Sequence, residues 1–115
     1  MPDLSNVQLR TLRKALGLTQ EDMARLLGFS MHSQVSRLER LARDPDIRMA
    51  LACEYILGLP VAALFEPIFV QVSNIVAKRA RERLNGLSHL SSEAHATRLG
   101  HLAKLAEPQP TLFDV

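Results

Sequence analysis

Cysteine is almost missing from this 115-residue chain, where Cys53 stands alone. A single thiol excludes an internal disulfide and any cysteine-rich zinc site. Its place in an apolar helical stretch assigns it to core packing rather than reactivity. Tryptophan is absent, and the aromatics amount to four Phe and one Tyr. The apolar mass is therefore mostly Leu, Ala, Val and Ile, which favours packed helices over a sandwich. No apolar run approaches the ~18 residues that span a membrane. Met1-Pro2-Asp3-Leu4 lacks a basic region followed by an apolar one, so no secretion signal is read and a cytoplasmic protein is expected. Two-residue alternation, hairpin dipeptides between apolar runs, internal repeats and low-complexity segments are also missing. So are a catalytic trio, a phosphate loop and a cofactor box, and no enzymatic activity or cofactor is expected. His32 has no second metal ligand at a suitable spacing. His95 and His101 do not share a helix face, so no metal site is expected either.

Strong overall charge is lacking too: 14 Lys and Arg against 12 Asp and Glu leave a net +2. The distribution is more informative. Residues 10–43 carry seven Lys and Arg against Glu21, Asp22 and Glu39, a local +4, and residues 78–83 read K-R-A-R-E-R. Such patches suit a DNA-facing surface as well as solvated helix faces, and cations in the second cluster complement the end of a helix dipole.

Helix signals are plentiful. A first helix is expected over about 7–16, capped by Ser5 or Asn6, with Leu9, Leu12 and Leu16 on one face and Gly17 ending it. Thr19 with Asp22 three residues on has the form of a capping box for a second helix, although Asp reaches back less well than Glu. Met23, Ala24, Leu26 and Leu27 form its apolar face, and Gly28 stops it. Residues 29–33 read as a polar-tipped turn. A third helix over about 33–41 turns Val35 and Leu38 inward. Asp44-Pro45-Asp46 restarts the chain into a fourth helix, about 46–57, burying Ile47, Leu51, Ile56 and Leu57. A short fifth helix covers about 61–65. Beyond Glu66-Pro67, a sixth helix over about 67–84 carries a stripe of Ile68, Val72, Ile75, Val76, Ala80 and Leu84. A seventh is expected over about 91–106.

Two short helices joined by a tight glycine turn inside a five-helix bundle is the plan of a DNA-reading unit. The stretch L-R-T-L-R-K-A-L-G-L-T-Q-E-D-M-A-R-L-L-G-F-S, then V-S-R-L-E-R, Asp44-Pro45 and L-G-L-P-V-A-A-L-F, resembles the phage-repressor/Cro-like (XRE) helix-turn-helix transcription regulators over residues 8–65. The resemblance implies an all-α, five-helix repressor-like bundle. The expected organisation is a DNA-binding domain at 1–66, a two-helix extension at 67–106 and an extended tail at 107–115. Two departures stand out. One extra residue lies between Gly28 and Val35, which reshapes the turn or the start of the third helix. Leu41 stands where the family usually has glycine, so the third helix runs longer or ends differently.

Carried over residue by residue, the resemblance makes Gln20 a phosphate contact at a helix N-terminus. His32, Ser33, Gln34 and Arg37 are the expected base contacts, with Gln34 able to pair two bonds with adenine and Arg37 two with guanine. Ser36, Arg40 and Arg43 are expected near the DNA backbone. Arg13 and Glu39 match an arginine and glutamate that form a mostly buried, structural ion pair in the family.

Such proteins usually bind partly palindromic double-stranded DNA as two-fold dimers. The helices at 67–106 are the candidate homodimer contact; otherwise they fold back on their own bundle. A second reading is an antitoxin-like protein that binds a partner protein through these helices while regulating its own operon. The tail residues Gln109, Leu112 and Phe113 resemble the Q-x-x-L-F peptide that docks on the bacterial DNA sliding clamp. The alternatives are a tail packed on its own protein or partner subunit, or a disordered one.

Overall fold

A computed structural model of the chain describes residues 7–91 and 93–107. These residues form α1 (Val7–Ala15), α2 (Gln20–Leu27), α3 (Ser33–Glu39), α4 (Ile47–Leu57), α5 (Val61–Leu64), α6 (Glu66–Gly86) and α7 (Ala96–Ala106), with no strand among them. The fold is all-α. The chain divides into two compact units, Met1–Ile68 and Phe69–Val115, and the division falls inside α6. The expected caps Ser5 and Asn6 and the tail motif with Gln109, Leu112 and Phe113 lie outside the described residues.

The first unit is built on a core of Leu9, Met23, Ala24, Val35, Leu38, Ala50, Cys53, Leu57, Leu64 and Phe65. α2 packs on α3 and α4, α1 packs on α3 and α5, and α4 packs on α5. Cys53 is fully buried, and desolvation pushes its thiol up to about 11, so it stays a protonated apolar group.

Local chemistry sets the helix ends. Both halves of the capping box are present on α2: the Asp22 amide donates to Thr19 Oγ1 at 3.0 Å, and the Thr19 amide donates to Asp22 Oδ2 at 2.9 Å. Asp therefore reaches back here as Glu would. Asp46 caps α4 by accepting from the Met49 amide at 2.8 Å. Glu54, on α4, accepts from the Val61 amide at 3.0 Å and so caps α5 from outside it.

Several expectations are corrected. α3 stops at Glu39 rather than running on to Leu41, and α7 starts at Ala96, five residues later than expected. α6 extends to Gly86 rather than ending near residue 84, because Gly86 remains helical and needs no left-handed turn. Four expected core residues are exposed: Leu16, Leu26, Ile47 and Leu51. The reason is geometric. A stripe of apolar side chains tells which side of a helix is apolar, and only a neighbouring element can cover it. On α4, Ile47, Leu51 and Tyr55, which follow one another at spacings of four, stay exposed among the described residues, Tyr55 by 92%.

In the second unit, Ala77, Ala80 and Leu87 are buried. Arg81 Nη1 donates to the Ala106 carbonyl at 2.8 Å, satisfying an otherwise open acceptor at the end of α7. Val72, Ile75 and Val76, expected in the stripe of α6, are exposed, Val72 by 52% and Ile75 by 48%. Phe69, Val72, Ser73 and Val76 of α6, with His101, Lys104 and Leu105 of α7, line a groove of about 300 Å³.

Candidate nucleic-acid interface

α2 and α3 are joined by residues 28–32. Gly28 adopts a left-handed conformation (φ 80°), and the Phe29 amide returns to the Ala24 carbonyl at 2.8 Å, closing the last turn of α2. A side chain in that conformation would cost roughly 1–2 kcal/mol, which is why glycine stands there. Ala24 is buried on the inner face of α2, where a small side chain lets the packed helices approach.

The turn between α2 and α3 is held by Gln34. Its Oε1 accepts from the Ser30 amide at 3.1 Å and the Met31 amide at 3.2 Å, with the Ser30 hydroxyl at 3.4 Å. In return, the Gln34 amide donates to the Met31 carbonyl at 3.2 Å. The turn is thus tied to the first turn of α3 in both directions. His32, the residue preceding α3, is already helical (φ −65°, ψ −22°) and makes no side-chain cap.

α3 is anchored by Val35 and Leu38, both with no exposed surface, and by buried Glu39. On a helix of 3.6 residues per turn, the opposite face carries Ser33, Arg37 and, just past the helix end, Arg40. All three are exposed, as is His32, whereas Gln34 and Ser36 lie half-buried on the flanks. Arg37 has no hydrogen-bonding or ionic partner among the described residues, so its five donors point into solvent. Arg40 Nε lies 3.4 Å from the Ser36 carbonyl. Arg43 lies over the Phe29 ring, 5.5 Å from its centroid, which steadies the guanidinium while leaving it exposed. Gln20 is the first residue of α2, half-buried.

A family profile described as helix-turn-helix matches residues 9–64. Those residues belong to the XRE-type helix-turn-helix family. They form a DNA-binding domain of the transcription-regulator class, and α2, the turn and α3 are its helix-turn-helix unit. No curated protein and no solved structure matches the chain significantly. Among the described residues, no helix is long and apolar enough to cross a membrane.

Arg13 and Glu39 are brought together beneath the helix-turn-helix unit. Arg13 Nε meets Glu39 Oε1 at 2.5 Å, and Nη2 lies 3.4 Å from Oε2, with side chains only 7% and 4% exposed. Arg13 Nη1 also donates to the Leu18 carbonyl at 2.8 Å. One guanidinium therefore ties the end of α1, the approach to α2 and the end of α3. Glu39 shares a short helix with Val35 and Leu38, so the pair fixes the rotation of α3 and hence which side chains face outward.

Two features escape sequence reading. Phe29, half-buried in the turn, supports Arg43; an aromatic immediately after the α2-ending glycine was the available signal. The turn-holding role of Gln34 was signalled only by the extra residue. The end of α3 is the second departure. Leu41 adopts the left-handed conformation (φ 55°), with its amide bonded to the Leu38 carbonyl at 3.1 Å and the Ala42 amide to the Arg37 carbonyl at 2.9 Å. This is the hydrogen-bond pattern that glycine usually closes, made here by leucine. The half-buried Leu41 side chain packs against the core, which offsets the backbone cost.

Proposed function

We propose that the chain is a sequence-specific, dimeric repressor that reads a partly palindromic operator through α3. The observation that carries this reading is the outward row of Ser33, Arg37 and Arg40 on a helix whose inner face is fully buried. In this reading His32, Ser33, Gln34 and Arg37 face the base edges, with Arg37 donating two bonds to guanine. Gln20, Ser36, Arg40 and Arg43 approach phosphates, Gln20 from the start of α2, where backbone amides favour an anion. Arg13 and Glu39 act structurally. The exposed Val72, Ile75 and Val76 support dimerisation through the C-terminal helices. Two copies related by a two-fold axis would place their reading helices about one turn of DNA, ~34 Å, apart.

The test separates base readers from backbone holders by measuring affinity for operator and scrambled duplex at several salt concentrations. Arg37→Ala is expected to cost roughly 1–3 kcal/mol on the operator and to relax preference at one base pair. Arg43→Ala is expected to weaken all sequences about equally and to lower the salt slope by about one. Arg37→Ala leaving specificity intact while Arg43→Ala alters it would overturn the assigned register.

A further inference from the structure

We propose that Gln34 is a positioning residue of the reading helix, whose engaged amide oxygen leaves only its NH₂ group to meet a base, so that it selects guanine in place of adenine. This rests on α3 being the DNA-reading helix.

A primary amide carries one acceptor oxygen with two lone pairs and one NH₂ with two donors. The groups aimed at the Gln34 oxygen are backbone N–H groups of Ser30 and Met31, which can only donate. That settles which end of the amide is oxygen, and it fills both lone pairs. The Ser30 hydroxyl adds a third, longer approach. The two-bond pairing of a glutamine with adenine requires that oxygen to accept from the adenine amino group while the NH₂ donates to N7. In this chain the first of those bonds cannot form unless the turn releases Gln34. The second face remains whole. Both NH₂ hydrogens are unused within the protein among the described residues. The base edge that offers two adjacent acceptors to such a donor is guanine, through N7 and O6.

The same bonds make Gln34 a positioning residue. The turn spans residues 28–32, and Gln34 bonds to its middle. Without a tie, Ser30 and Met31 would carry exposed, unpaired amides on a loop free to shift the start of α3. The reciprocal bond from the Gln34 backbone N–H to the Met31 carbonyl closes this tie into a loop of two bonds. His32 and Ser33 lie inside that closed segment, so their direction depends on it as well.

The test uses the full chain and two variants. Gln34→Glu keeps an oxygen for the Ser30 and Met31 amides but removes the NH₂ donor. Gln34→Ala removes both. Amide hydrogen exchange without DNA reads the tie alone. The Ser30 and Met31 amides are expected to stay protected in Q34E and to exchange several-fold faster in Q34A. Selection from a random duplex library then reads the bases. The native protein is expected to select G·C at one position of each half-site. Q34E is expected to lose that preference alone, with operator affinity falling about tenfold or more. Q34A is expected to blur neighbouring positions as well. Equal exchange in all three proteins would overturn the positioning role. Selection of A·T by the native protein at the one position that Q34E disturbs would overturn the guanine assignment. A native protein that selects no sequence, with the exchange pattern as expected, would leave the tie standing and overturn the base-reading role of α3 itself.

Discussion

At the residue scale, the buried Arg13–Glu39 pair and the left-handed Leu41 are the places where substitutions are most informative. Arg13 and Glu39 are 6% and 4% exposed, so removing one partner strands a charge that water cannot reach. Arg13→Met is expected to destabilise the chain by about 3–5 kcal/mol in denaturant unfolding without DNA. The double replacement Arg13→Met with Glu39→Leu is expected to recover most of that loss, because no charge is then left buried. Failure of the double variant to recover would mean that the bond from Arg13 to the Leu18 carbonyl, not the ion pair, is what matters. Leu41 calls for a comparison of two replacements that both remove its side chain beyond Cβ. Leu41→Gly and Leu41→Ala lose nearly the same packing, but only Ala keeps the cost of a positive φ. The Gly variant is expected to be the more stable by about 1 kcal/mol, reversing the order that holds inside a helix. An Ala variant equal to or better than Gly would show that the helix end rearranges.

At the scale of elements, α2 depends on its N-terminal box. Thr19→Ala is expected to cost about 1 kcal/mol by leaving the Asp22 amide unpaired. Asp22 adds a pH dependence. The Thr19 backbone amide, and then its hydroxyl, hold the Asp22 carboxyl below its ordinary value of 3.8, with Arg25 adding a smaller pull. A carboxyl lowered in the folded state contributes stability above its unfolded value and loses it as pH falls through the folded one. The native melting temperature is therefore expected to drop more steeply than that of Asp22→Asn as pH goes below about 3.8. Parallel curves for the two proteins would show that the box is not formed in solution. The ion pair between Arg25 and Glu21, at 3.3 Å and well exposed, adds little beside the box.

At the scale of the whole molecule, the first unit carries its own core: among the described residues its buried cluster runs from Leu9 to Phe65, with Ile68 packed against it. A chain ending at residue 68 is expected to fold and to remain monomeric, with operator binding far weaker than that of the full chain. Sedimentation velocity and titration of both forms check this. Val72→Asp with Val76→Asp, placed on the exposed face of α6, is expected to give the same monomer while leaving the first unit intact. A truncated chain that still dimerises and binds equally well would move the contact elsewhere. The exposed Ile47, Leu51 and Tyr55 of α4 would then be the next surface to test.

The all-helical class, the order of the elements and the helix-turn-helix unit were legible in the residues, because helix starts and stops are local chemistry. Thr19 and Asp22 bond across three positions, Gly28 enters a left-handed turn, and Val35 and Leu38 share a face whatever lies beyond them. The family motif added Arg13 and Glu39, separated by 26 positions, which no local rule would have paired. Tertiary structure alone decided three other matters. It covered some apolar stripes and left those of α4 and α6 open, because burial depends on a neighbour that helical periodicity does not specify. It ended α3 on Leu41 in a glycine's conformation, because packing of that side chain on the core outweighs a backbone cost of roughly 1–2 kcal/mol. And it turned the Gln34 oxygen inward to the turn, because the Ser30 and Met31 backbone N–H groups have that oxygen as their acceptor.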